Sequence, residues 1–279
     1  MAAPPARFDG EVLNVAVEGG DLVVETLGDG PAVLLIHGWT LDRRIWTPQV
    51  QALAKRYRVI AYDRRGFGQS TAPPVIVREP DDVAAVVRLC GADRFALVGM
   101  SQGGRIALAY AQREPHRLSA LVLHGAAVSD VPFDLGDDEE VPVAEMRELA
   151  RSGQLDRLRR LWTRHALMTL HSARHQPLLD TIVADYDARD LLGPVQTLQV
   201  SAEALAAVSA PVLIVTGARE SGWRRKVAAT LAAHARGSAE WVSLPGSGHL
   251  ANLCRPVRYN RLLIDFLERT HAGVDGQPA

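Results

Sequence analysis

The chain has 279 residues, 47% of them apolar, and a formal net charge of −1. That length supports one large α/β domain with an inserted subdomain and a substantial core. The near-neutral charge excludes the strong basic bias of a nucleic-acid binder, the lack of any run of about 18 apolar residues excludes a membrane-spanning helix, and Cys90 and Cys254 are too few and too far apart for a disulfide framework or a zinc pattern.

In chain order, Met1 to Arg7 lacks the apolar centre of a secretory signal, so the cytoplasm, with reduced thiols, is the expected compartment. The β-rich runs 11–17 and 22–27, joined at Gly19-Gly20-Asp21, predict an antiparallel hairpin. The short apolar run 32–36 predicts a strand covered on both faces. Residues 46–57 have helical spacing, 58–62 form another strand run, and Asp81-Asp82 marks a helix start that runs to about Cys90. A strand at 95–98, a helix from Gln102 and a strand at 118–124 follow; 212–216 and 240–244 complete the strands, with helices predicted at 224–235 and 256–269. Strands alternating with helices predict a doubly wound, mostly parallel α/β sheet whose ligands bind beyond the carboxyl ends of its strands.

The alternation breaks between about Phe133 and Ser209. That stretch opens acidic (Asp134, Asp137, Asp138, Glu139, Glu140) and continues with apolar residues at helical spacing, among them Met146, Leu149, Leu158, Leu161, Trp162, Leu167, Met168 and Leu170. It is expected to be a helical cap, 133–209, inserted into a core domain formed by 1–132 and 210–279. Arg157, Arg159 and Arg160 are expected on a solvated helix face, and Gly273 to Ala279 as a frayed tail.

The chemistry concentrates at predicted strand ends. Ser101 lies in Gly99-Met100-Ser101-Gln102-Gly103, between an apolar strand run and an amphipathic helix, the arrangement of a nucleophile elbow. A serine hydroxyl becomes a nucleophile only with geometry and a base. His249, in Pro245-Gly-Ser-Gly-His249-Leu just past the last strand, is the expected base. The base needs a carboxylate; Glu220, after the strand 212–216, is the first choice and Asp130, after the preceding strand, the alternative. The backbone N–H groups of Gln102 and Trp39 are the expected oxyanion donors, each worth about 3 kcal/mol of barrier. Trp39 sits in His37-Gly38-Trp39, where His37 is expected to brace the loop and the indole either shapes an acyl pocket or packs the core. Asp63-Arg-Arg-Gly66-Phe-Gly68-Gln-Ser70 is expected to be a structural brace of charge pairs, since no phosphate or dinucleotide fingerprint is present. His165, His171 and His175 are spaced so that two could share a helix face, but a metal site is not expected there; His116, His234 and His271 are expected at the surface.

Together, His37-Gly38-Trp39, the Asp63 turn, Gly99-Met-Ser-Gln-Gly-Gly104 and Gly246-Ser-Gly-His249-Leu-Ala-Asn-Leu resemble the α/β-hydrolase fold superfamily, above all its small bacterial carboxylesterases and enol-lactonases. The resemblance implies a serine hydrolase of small-molecule carboxylic esters or lactones, with Ser101 as nucleophile, His249 as base, Trp39 and Gln102 as oxyanion donors, and no cofactor or metal. Three residues depart from the pattern: Glu220 where aspartate is usual, Gln102 where methionine is frequent, and Cys254 where glutamate often stands. Serine at the elbow sets the chain apart from the dehalogenases and epoxide hydrolases of this fold, which use aspartate. Carbon–carbon hydrolases of ring-cleavage products, cofactor-free perhydrolases, and non-catalytic ligand receptors that retain the three residues share the pattern and stand as alternatives.

Overall fold

A computed structural model describes residues 8–133 and 140–272, with side chains as far as Thr270. The expectations for Met1–Arg7, for Asp134, Asp137, Asp138 and Glu139, for the side chain of His271 and for the tail 273–279 lie outside the described residues. The elements, in chain order, are β1 (Glu11–Val17), β2 (Gly20–Leu27), β3 (Ala32–Ile36), α1 (Thr47–Leu53), β4 (Arg58–Tyr62), α2 (Glu79–Leu89), β5 (Phe95–Met100), α3 (Gln102–Arg113) and β6 (Leu118–His124). They continue with α4 (Val143–Arg151), α5 (Leu155–Thr163), α6 (Gln176–Asp185), β7 (Val212–Gly217), α7 (Gly222–His234), β8 (Ala239–Leu244), α8 (Ala251–Cys254) and α9 (Pro256–Ala272).

One eight-stranded sheet has the order β1-β2-β4-β3-β5-β6-β7-β8. The hairpin β1–β2 and the β2–β4 pair are antiparallel, and every other pair is parallel. Alternating side chains of the central strands point into two separate cores: Val33, Leu35, Ala96 and Val98 into one, Leu34, Ile36, Phe95 and Leu97 into the other. Helices cover both faces, which is why β3 and β5 read as continuous apolar runs rather than as polar–apolar alternation. Because β4 lies on one side of β3 and β5 on the other, successive connections diverge at β3. The crevice beyond the carboxyl ends of β3 and β5 is therefore the topological switch point, the usual place for a ligand.

Several boundaries differ from expectation for local reasons. A 3₁₀ turn, Arg43–Trp46, precedes α1, which stops at Leu53 rather than Tyr57 so that the chain can turn into β4. Helix α2 starts at Glu79, with Pro80 in its first turn, so Asp81 and Asp82 lie inside the helix and complement its positive end. Helix α7 starts two residues early because the Ser221 hydroxyl accepts from the Arg224 N–H at 3.2 Å. Helices α4 to α6 all lie between β6 and β7; after Asp185 the chain returns to the sheet through 3₁₀ turns at Arg189–Leu191 and Ala202–Ala207. Met146, Leu158 and Trp162 of this insertion are buried. No described helix is long and apolar enough to cross a membrane.

The Asp63 turn holds buried charges in pairs. Asp63 accepts from the backbone N–H groups of Arg43 and Gln69, at 2.9 and 2.8 Å. Arg64 clamps Glu79 through two bonds of 2.6 and 2.7 Å, and Arg65 clamps Asp82 through two of 2.6 Å. Such pairs bring little net gain over well-packed apolar residues, but losing one partner strands the other charge in the interior. Arg65 and Asp82 are each 2% exposed, so R65M is expected to destabilise the fold by about 3–5 kcal/mol in chemical denaturation, with R65M/D82L recovering most of the loss.

His124, at the end of β6, is also buried; burial above all pushes its pKa down from 6.5 to about 3. Between these values the unfolded chain takes up a proton that the folded one refuses, so this histidine's contribution to stability is full above pH 6.5 and declines on acidification toward pH 3. In H124N the loss of stability between pH 6 and pH 4 should be shallower than in the parent by about 1.4 kcal/mol per pH unit, read from denaturation curves at each pH.

Candidate active site

Ser101 occupies the single residue between β5 and α3, with φ 54° and ψ −118°. A side chain rarely adopts this conformation, which costs about 1–3 kcal/mol and persists only where the surroundings impose it. Here the Ser101 N–H donates to the His124 carbonyl of β6 at 2.7 Å, and the Ser101 carbonyl accepts from Gly104 and Arg105 at 3.0 and 3.2 Å. The turn also needs bare backbone around it. A Cβ on Gly103 would stand 2.9 Å from the Ile36 carbonyl carbon, and one on Gly104 2.7 Å from the Ala126 Cβ. Ser101 borders a chamber of about 30 Å³ shared with His249, Trp39 and Met168. Among the insertion's apolar residues, Trp162, Leu167 and Met168 form part of its wall.

His249 follows β8 on a loop braced by the Ser247 hydroxyl, which donates to the Leu244 carbonyl at 2.8 Å. Its Nδ1 lies 2.6 Å from Glu220 Oε1. An ionised carboxylate can only accept, so Nδ1 carries the proton and Nε2 is the basic nitrogen. Glu220 stands just after β7, and its second oxygen accepts from the Gly217 N–H at 3.1 Å. The extra methylene of glutamate thus lets one carboxylate span the imidazole and its own strand end. Burial pushes the Glu220 carboxyl above the usual range, and Arg224 opposes that shift most strongly. Arg224 is anchored in turn to the Gly125 carbonyl at 2.7 Å. Gly125, with φ 55°, leaves the space the pair needs: a Cβ there would lie 2.8 Å from His249 Cε1 and 2.9 Å from Glu220 Oε1. Asp130 is not part of this cluster; it is exposed and accepts from the Ala202 N–H at 3.0 Å, closing the start of a 3₁₀ turn.

The loop after β3 packs against Ser101, with a Cβ on Gly38 3.4 Å from the Ser101 Cβ. His37 Nδ1–H donates to the Gly38 carbonyl at 2.8 Å, and its Nε2 accepts from the Arg64 N–H at 3.0 Å. Burial, reinforced by Arg64, holds its pKa well below 6.5, so the ring is a neutral brace. Arg64 also donates to the Gln102 side-chain oxygen at 2.6 Å, tying the Asp63 turn to the first residue of α3. The Trp39 indole meets Trp162 edge-on at 5.3 Å and donates to Asp190 Oδ2 at 2.6 Å. Gln102 begins α3, whose first N–H groups have no intrahelical partner, and Trp39 borders the same chamber as Ser101.

The structure also corrects and adds. His165, His171 and His175 share no helix face: they sit in loops and short turns, His171 accepting from Arg219 at 3.0 Å and His175 bonded to the Leu253 carbonyl at 3.2 Å. Among the described residues, no group of three or more His, Cys, Asp or Glu is placed to hold a metal ion. Cys254 is buried, and its sulfur accepts from the His171 N–H at 3.4 Å. Sequence reasoning passed over His124, whose ring lies 6.4 Å from that of His249 and whose Nδ1 is 3.3 Å from the Tyr259 hydroxyl. It also missed Gly125 and Asp190, whose roles arise only from neighbours distant in the chain.

Known proteins agree with this architecture. The family model of the alpha/beta hydrolase fold matches residues 31–256. A pimeloyl-[acyl-carrier protein] methyl ester esterase of Xanthomonas campestris is 32% identical over 238 residues, covering 81% of this chain and 90% of that protein. Some matches are local, one of 99 residues spanning 37% of its relative's length. Among solved structures, a thermophilic esterase from Thermogutta terrifontis aligns with a TM-score of 0.74 at 26% identity, covering 94% of this chain and 99% of that one. The enol-lactonase from Burkholderia xenovorans LB400 aligns with a TM-score of 0.77 at 23% identity, covering 92% and 100%. The chain belongs to the alpha/beta hydrolase fold family.

Proposed function

We propose that the protein is a serine hydrolase that cleaves carboxylic esters or lactones of small molecules through an acyl-enzyme. The observation that carries this reading is the 2.6 Å contact between His249 Nδ1 and Glu220 Oε1, with the same imidazole bordering the chamber of Ser101. In the proposed reaction His249 Nε2 takes the Ser101 proton as Oγ attacks the carbonyl carbon. Glu220 holds the ring and stabilises the imidazolium, and the N–H groups of Trp39 and Gln102 receive the oxyanion. Collapse of the tetrahedral intermediate expels the alcohol, which takes the proton from His249; water, activated by the same base, then releases the acid. A lactone is an internal ester and follows the same steps. Relatives named for ester hydrolysis support the substrate class. The insertion acts in this scheme as a cap, since it supplies chamber wall but neither nucleophile, base nor acid. Two free cysteines, Cys90 and the buried Cys254, support a cytoplasmic site of action.

Hydrolysis of p-nitrophenyl acetate should fall at least about a thousandfold in kcat/KM on S101A. The two candidate acids separate cleanly: E220Q should cost about 10³–10⁴ in kcat, whereas D130N should leave the rate within about twofold. Placing a methyl between base and acid, G125A should lower kcat by about a hundredfold or more, because a displacement of about 1 Å is enough for such a loss. Full turnover by S101A would overturn the proposal.

A further inference from the structure

Building on the reading of the site as an ester hydrolase, we infer that the Trp39 indole, fastened by Asp190, is the wall that divides the nucleophile chamber from a second substrate cavity, so that Asp190 sets the length of ester chain accepted.

The chamber at Ser101 encloses about 30 Å³ and a neighbouring cavity about 300 Å³. The first holds little more than one or two water molecules, the space of an acetyl group. The second reaches the size of ordinary small-molecule sites. Trp39 borders both spaces, and Gln102, the residue after Ser101, borders the larger one. Much of the larger cavity is apolar, with Phe67, Ile76, Val141, Val143 and Leu191 in its walls. Of its arginines, Arg64 and Arg65 are paired with Glu79 and Asp82, and Arg147 donates to the Gly193 carbonyl at 3.0 Å. These surfaces suit a hydrocarbon chain.

The indole is held from the insertion. Asp190 Oδ2 accepts from Trp39 Nε1 at 2.6 Å, and Oδ1 accepts from the Tyr186 hydroxyl at 2.7 Å. Asp190 lies in the 3₁₀ turn Arg189–Leu191, which Arg189 ties to the carbonyls of Gly66 and Gly68 at 3.0 Å each. The Trp162 ring closes another side, its own Nε1 donating to Thr40 Oγ1 at 2.6 Å. Among the described residues Asp190 forms no salt bridge, and a half-buried carboxylate whose hydrogen-bond donors are neutral loses part of its hydration without a charged partner. Packing alone would be served at lower cost by an apolar residue; the carboxylate adds direction, fixing the plane of one indole. Asp190 is thus a positioning residue acting through Trp39.

The test is a ratio of kcat/KM values, octanoyl over acetyl p-nitrophenyl ester and octyl over methyl acetate, so that either arm of the ester can report. Asp190→Ala, which frees the indole, should raise one of these ratios at least about tenfold, and Trp39→Ala, which removes the wall but keeps the backbone N–H, should raise it further. Asp190→Asn retains an oxygen that can accept from the indole and should stay within about threefold of the parent. A loss of packing alone would move thermal stability without this pattern of selectivity. If Asp190→Ala does not fold, Trp39→Ala decides. Ratios unmoved in both series for the folded variants would overturn the inference while leaving the ester hydrolase reading intact; hydrolysis that persists in S101A would instead overturn that reading.

Discussion

The backbone of one residue, Ser101 at φ 54°, organises the molecule. An unfavourable conformation of this kind survives only when neighbours leave no alternative, and the neighbours here are three strands and a helix. β5 delivers the serine, β6 binds its N–H through the His124 carbonyl, β3 passes so close that Gly103 cannot carry a side chain, and α3 takes its carbonyl as its first acceptor. The hydroxyl is therefore placed by the sheet as a whole. The same turn starts α3 at Gln102, directly after Ser101, where the first N–H groups have no intrahelical partner.

A second layer of buried charge stands behind that turn. Arg64 is bonded at once to Glu79, the Gln102 side chain and the His37 carbonyl. His37, neutral and clamped at both ring nitrogens, fixes the loop that carries Gly38 and Trp39. Rigid donors aimed before any reaction occurs need no reorganisation when charge appears, which is the physical basis of oxyanion stabilisation. The Asp63 turn supports the candidate site indirectly: its charges do not line the Ser101 chamber, yet Arg64 holds the His37 loop and the Gln102 side chain in place.

The strands and the elbow were legible because their signals are local. A run such as Phe95 to Met100 is apolar throughout when both of its faces are covered, and a serine between small residues at its end marks the turn. His249 was legible by its place after the last strand. The carboxylate was harder, since both Glu220 and Asp130 follow strands and only three-dimensional packing separates a buried acid facing the imidazole from an exposed one bonded to Ala202. Gly125 and His124 belong to β6 and its end, where an apolar strand pattern conceals what the residues face. The contact between Trp39 and Asp190 spans 151 positions, so no periodicity or motif could announce it. Helix ends moved by one or two residues wherever a proline or a hydroxyl cap outweighed the spacing of apolar residues.

Residues 140–209 furnish chamber wall and the Asp190 anchor but none of the three groups at the strand ends. Substitutions there leave the strand ends that carry Ser101, Glu220 and His249 unchanged in sequence. Under the proposed ester-hydrolase reading, change in this segment would reshape what enters the cavity rather than how a bond is broken.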